Sequence, residues 1–144
     1  MSNKWLSPEE FGASLKNFGF NLLTRDITRE VEFSTEVLGA KKLYGDDDFA
    51  ALTCNNMTWM LHHDRTYRNH PLSGFVKTTD TRGAGIELHL YHRNPDQAEA
   101  LARQRDDIIL ARAMDKPHGL REVYILSPEG YVWVLSQPIN HDNA

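Results

Sequence analysis

The sequence predicts an α+β fold in which two βαβββ modules pair to form a concave mixed sheet, with an extra helix ahead of them. Three observations lead there. Apolar residues alternate at period two in several short segments, the mark of strands with one buried face. Two segments of helical period interrupt them, each directly after a strand and each followed by three more strands. That order recurs at a spacing of roughly 70 residues, which points to a duplicated module. A chain of 144 residues is one ordinary domain. Each module has only one helix to cover its sheet, so pairing the two is what buries a continuous core.

Ser7-Pro8-Glu9-Glu10 supplies an N-cap, a proline at the first helical position and acids in the first turn, predicting a short accessory helix over residues 7 to about 16. Trp5 and Leu6 are placed to staple that helix onto the fold or onto a partner subunit. Phe18, Phe20 and Leu22 then alternate with Gly19 and Asn21 as a first strand. Asp26 or Thr28 caps the next helix, whose Ile27, Val31, Val37 and Leu38 follow helical spacing, and Gly39 supplies its left-handed end. Three strand-like segments follow, Lys41 to Tyr44, Phe49 to Cys54 and Met57 to His63, with turn residues between them. Module one therefore covers about 17–65.

Residues 66–83 carry scattered charge and no sustained period, and read as a linker and binding loop. In module two, about 84–138, Ile86, Leu88 and Leu90 alternate with Glu87, His89 and Tyr91. Asn94-Pro95-Asp96 then opens a helix carrying Ala98, Leu101 and Ala102. Ile108 to Ala113, Leu120 to Leu126 and Tyr131 to Gln137 give three strands, the last two joined by a Ser127-Pro128-Glu129-Gly130 turn. Residues 1–144 are read as a single domain.

Composition removes several classes of function. With 40% apolar and 25% charged residues the chain has the makings of an ordinary folded core. Its apolar runs are a few residues long, against the roughly 20 a spanning helix needs, so no membrane partner is expected. No apolar stretch follows the first residues as in a signal peptide, and Cys54 is the single cysteine, so a cytoplasmic location without intramolecular disulfides is the expectation. Sixteen basic against twenty acidic residues give a net charge of −4 with no basic stripe, so nucleic acid is not an expected partner.

The element order carries motifs at matching places: Phe33-Ser34-Thr35-Glu36-Val37-Leu38-Gly39 at the first helix end, His118-Gly119-Leu120-Arg121-Glu122-Val123-Tyr124 in the second module, and Ser127-Pro128-Glu129-Gly130-Tyr131-Val132-Trp133 at the last turn. Together these resemble the vicinal oxygen chelate superfamily, which includes glyoxalase I, extradiol dioxygenases, fosfomycin-resistance transferases and bleomycin-resistance proteins. The resemblance spans about residues 17–138, with Ser34, Ser127 and Glu129 replacing a tyrosine and two acids of the superfamily pattern. Its metal-using members place one ligand on the first and last strand of each module. Those positions fall here on Gly19, on Met60 or His62, on Glu87 with His89 two residues further, and on Val134. Gly19 and Val134 offer no donor, and two ligands seldom hold a divalent metal. Bleomycin-resistance members lack the metal quartet and sequester their ligand in an aromatic-lined groove. The resemblance thus implies a metal-free, cofactor-free binder of a small aromatic or cationic molecule, working as a homodimer whose modules pair either side by side or by swapping. The alternative it leaves open is a glyoxalase-like lyase or isomerase, or an extradiol-type dioxygenase, with one divalent metal (Fe, Zn, Ni or Mn) on His62, Glu87 and His89.

Single residues suggest how such a groove would be equipped. Glu87, desolvated beside an apolar cavity, is a candidate general base for proton abstraction next to a carbonyl. Trp59, Tyr91 and Tyr124 offer faces for stacking and cation–π attraction, and His62 and His89 hydrogen-bonding edges. Arg121 is a candidate clamp for a ligand carboxylate, with Glu122 beside it to hold it in place. His62 and His63 are adjacent, so a strand points them to opposite faces. Asp46-Asp47-Asp48 lacks the alternating spacing of a calcium loop and reads as a solvated turn.

Overall fold

The computed structural model describes residues 5–77, 80 and 82–139, so residues 78, 79 and 81 of the predicted linker lie outside the described residues. Helix α1 (Pro8–Ser14) begins on the predicted cap, with Glu10 N–H donating to Ser7 Oγ and Ser7 N–H donating back to Glu10. Module one then runs β1 (Asn21–Thr24), α2 (Ile27–Glu36), β2 (Lys41–Gly45), β3 (Phe49–Cys54) and β4 (Met57–His63). After a 3-10 turn over Asp64–Tyr67 and a short helix α3 (Ser73–Val76), module two repeats the order: β5 (Glu87–Tyr91), α4 (Pro95–Gln104), β6 (Ile108–Asp115), β7 (Leu120–Leu126) and β8 (Val132–Pro138). Asp26 rather than Thr28 caps α2, its side chain accepting from Arg29 N–H, and Gly39 takes the left-handed conformation the helix end requires, with φ of 75°.

Each module folds its own four-stranded sheet, in the orders β1-β4-β3-β2 and β5-β8-β7-β6. Only the first strand of each pairs parallel; the other pairings are antiparallel. One face of each sheet is packed under its helix. Leu22, Leu52, Trp59 and Leu61 join Phe33, Val37 and Leu38 of the α2 segment, and Val123, Ile125, Trp133 and Leu135 join Ala98 and Ala102 of α4, in one continuous core cluster. Period two then turns the alternate set of residues to the opposite face. Among the described residues no helix is long and apolar enough to cross a membrane.

The modules lock together reciprocally within the chain. At the end of β1, Tyr131 Oη donates to Leu23 O at 2.7 Å and accepts from Leu23 N–H at 3.1 Å, while Thr24 Oγ1 and Arg25 N–H donate to Glu129 of the β7–β8 turn. At the corresponding end of β5, Asn55 of the β3–β4 turn donates to Tyr91 O at 2.7 Å. Arg93 closes the same junction by donating two N–H groups to Val37 O at the end of α2. Within the chain, each module's hairpin turn caps the other's first strand.

The linker is anchored by Arg82, which is buried against Asp64 and Glu129, and by Gly83. A Cβ added at Gly83 would stand 2.7 Å from Tyr131 Cα and 2.8 Å from Gly130 O, both backbone atoms of the opposing turn. Gly83→Ala is therefore expected to cost about 1–3 kcal/mol of stability in urea unfolding. A variant as stable as the wild type would show that this turn yields freely.

Candidate functional site

The sheet faces turned away from α2 and α4 carry the candidate site. On module two, strand register lays the residues out in rows. Glu87 lies opposite Val132, His89 opposite Val134, and Val134 in turn opposite Tyr124; Tyr91, Ser136 and Glu122 form the next row. Glu87 and His89 are hydrogen-bonded to each other at 3.0 Å, and the His89 ring stacks on Tyr91, centroids 5.8 Å apart. Beside them Glu122, expected to hold Arg121 in place, is instead paired with His118. Glu122 is 4% exposed, meets His118 Nε2 at 2.7 Å, and lies 3.4 Å from Tyr124 Oη. Burial, then the charges of Glu87 and Glu122, raise the Tyr124 phenol above its ordinary range. Two carboxylates thus face one tyrosine ring, over which Lys116 Nζ stands 5.8 Å from the centroid.

On module one the corresponding face carries Leu23, Phe49, Ala51, Met60 and His62. His62 packs against the rings of Phe49 and Tyr67, at 5.2 and 5.3 Å, and burial pushes its pKa down from the ordinary imidazole value. Helix α1 lies over this same face, with Phe11 edge-on to Phe49 at 6.2 Å and Trp5 stacked on Tyr44 at 5.4 Å. The staple expected of Trp5 is made within the chain, onto β2. Beneath α1 is a cavity of about 590 Å³ whose lining includes Phe11, Gly12, Tyr44, Phe49 and Met60. Adjoining it at Leu15 and Met60 is a second of about 450 Å³, lined in part by Asn17, Gly19, Asn21, Asn56 and Thr58.

Several expectations are corrected by where the side chains stand. Trp59 is 2% exposed in the core, facing the helix side of its sheet between Phe20 and Trp133, and so does not reach the groove. Arg121 also faces the helix side, where it donates to both carboxylate oxygens of Asp96 at the start of α4 and to Asp115. These carboxylates hold it firmly protonated and occupy its fork. His62, Glu87 and His89 do not converge as one three-residue set: among the described residues no group of three or more His, Cys, Asp and Glu side chains is disposed to hold a metal ion. Tyr91, Tyr124, Glu87 and His89 do share one face.

The register also decides between Met60 and His62. In module two Glu87 pairs with Val132, two residues before Val134. In module one Gly19 lies against Thr58, two residues before Met60, and Met60 N–H donates to Phe20 O. The four positions at which the resemblance expects ligands are therefore Gly19, Met60, Glu87 and Val134. A hydrogen, a thioether, a carboxylate and an isopropyl group do not make a divalent-metal quartet, so these residues do not fit the metal that the fold's catalytic members use.

Two paired βαβββ modules with a groove lining on the face opposite the helices define the class of protein. The particular fold is that of the glyoxalase, bleomycin-resistance and dioxygenase proteins, as in the vicinal oxygen chelate superfamily. A glyoxalase/bleomycin resistance protein/dioxygenase from Nocardioides shares 19% identity with this chain at a TM-score of 0.64, covering 92% of it and 93% of its own length. A family enzyme of the same description from Burkholderia phytofirmans aligns with a TM-score of 0.71 at 17% identity, over 84% of this chain and 97% of that one. TioX from a Micromonospora species aligns with a TM-score of 0.61 at 19% identity, over 87% and 98%. No family model matches the sequence, and no curated protein matches it.

Proposed function

We propose that this chain is a metal-free small-molecule-binding protein of the glyoxalase/bleomycin-resistance type, which sequesters a small aromatic or cationic compound in the groove formed by the sheet faces. The observation that carries the reading is the chemistry of the four ligand positions, where Gly19, Met60 and Val134 supply no oxygen or nitrogen donor beside Glu87. Binding is supported by what stands there instead: the aromatic faces of Tyr91 and Tyr124 beside the carboxylates of Glu87 and Glu122, an arrangement that attracts a cation. A homodimer belongs to the same reading. Strand β6 is an edge strand on which Ile108 and Leu110 are 59% and 51% exposed, apolar surface that a second copy would cover. Sedimentation as a monomer at micromolar concentration would remove the dimer from it.

The test is elemental analysis of protein from metal-supplemented medium, together with titration of an aromatic ammonium probe, benzyltrimethylammonium. The expected result is far less than one transition metal per chain in both the wild type and Glu87→Ala. Probe affinity is expected to fall about tenfold in Tyr124→Ala, the magnitude of one lost cation–π contact. One metal per chain, lost in Glu87→Ala, would instead favour the lyase, isomerase or dioxygenase alternative, for which the hydrogen-bonded Glu87 and His89 would supply two ligands.

A further inference from the structure

Pro8, Phe11 and Gly12 of helix α1, with Leu15 in the extended cap that ends it, form a stripe lining one cleft over the first sheet, of which Phe11 is the buried member. One place in that stripe has no side chain. Phe11 fills its place against Phe49, whereas a Cβ built at Gly12 meets nothing within 4 Å. The gap forms part of the cavity of about 590 Å³ below the helix. A cleft of several hundred Å³ with apolar walls, open along its edge as this one is at the exposed Gly12, is what a small ligand occupies.

The two adjoining cavities differ in chemistry. Among the described residues no charged side chain lines the one under α1, whose walls are mainly aromatic and aliphatic, including Trp5, Phe11, Tyr44, Phe49 and Met60. A charged ligand group there would go uncompensated. The second offers side-chain amides of Asn17, Asn21 and Asn56 and the Thr58 hydroxyl, with Lys16 at its rim. Gly19 and Met60 explain why the two adjoin. Gly19 leaves its place open in the second cavity, and the unbranched thioether of Met60 lines both. The residues that fail as metal ligands are those that make room.

We propose that the two cavities together form one ligand seat roofed by α1, which takes a molecule with a neutral, flat aromatic body and one hydrogen-bonding end. The body lies under the helix against Phe11, Phe49 and Tyr44, and the polar end points to the asparagines at 17, 21 and 56. The inference rests on the binding reading above and adds where the apolar part of the ligand goes and what it is.

The test uses the full chain and the neutral fluorophore N-phenyl-1-naphthylamine, whose single amine suits the polar end. Wild type is expected to bind it with enhanced, blue-shifted emission. Gly12→Leu grows a side chain into the open space and strengthens the helix, so it is expected to fold normally and to bind at least about tenfold more weakly. Gly12→Ala leaves most of the volume and is expected to stay within about threefold of wild type. Wild-type protein that fails to bind the fluorophore, or Gly12→Leu that binds it as tightly as wild type, overturns the seat under α1. The binding reading fails separately. If benzyltrimethylammonium still binds in a Tyr124-dependent manner, sequestration stands with its ligand on module two; if neither probe binds, both readings fall.

Discussion

Trp59→Ala is expected to lower the unfolding free energy by about 3–5 kcal/mol, among the largest losses for any single side chain of this protein. Trp59 is 2% exposed, its ring stacked on Phe20 at 5.7 Å and tilted against Trp133 at 5.4 Å. Trp133 belongs to the second module, so the indole contributes to the packing between modules as well as to the first sheet's core. Truncation would leave a cavity that strands paired on both sides of β4 cannot close. Trp59→Phe isolates the polar part: the indole Nε1 is buried without a hydrogen-bond partner among the described residues, so removing it offsets part of the lost volume. That variant is expected to lose no more than about half as much as alanine. Equilibrium urea unfolding checks both. A loss below about 1 kcal/mol for alanine would mean that the ring is not packed as described, and would return Trp59 to the candidates for ligand contact.

The fate of Trp59 shows which information the sequence carries. Period two forbids Trp59 and His62 from sharing a face, and likewise Arg121 and Tyr124, because each pair is an odd number of residues apart. The parity was therefore legible, but not which parity meets the helix. That is decided by partners distant in sequence: Asp96 of α4 draws Arg121 to the helix side, and Phe20 and Trp133 enclose Trp59. Local signals served better for the element order. Asp26 and Asn94 accept the cap hydrogen bonds expected of them, and Gly39 and Gly130 take positive φ where the helix end and the last turn need it. The first strand begins later than its alternation suggested, at Asn21, because Asn17 turns the chain at φ of 66° and leaves Phe18 71% exposed outside the sheet. The docking of α1 over the first sheet, and the cavities it roofs, had no local signature. Apolar stripes on a helix say that it is covered, not by what.

The second large effect is a pH dependence. Glu30, on α2, is buried at the junction with the β7–β8 turn, where its Oε1 accepts from Ser127 Oγ at 2.9 Å and from Glu129 N–H at 2.6 Å. Desolvation, helped by the nearby Glu129 carboxylate and opposed by those two hydrogen bonds and by Arg29, pushes its pKa from 4.5 up to about 7. Between those values the folded state holds a proton that the unfolded state has released. Stability attributable to Glu30 is therefore full below about pH 4.5, falls as the pH rises toward 7, and stays low above it. By linkage the span is roughly 3 kcal/mol. Glu30→Gln keeps an oxygen that accepts from Ser127 and Glu129 but carries no charge. It is expected to remove this slope and to be more stable than wild type above pH 7 by up to about the same amount. Other groups titrate in both proteins, so the difference between the two stability curves, measured from pH 4.5 to 8, isolates Glu30. Parallel curves would mean that Glu30 ionises as an ordinary carboxylate and that water reaches the junction. A rising difference would mean that the modules are joined through a carboxyl group that holds better protonated, so that mild acid tightens the pairing on which both sheet faces depend.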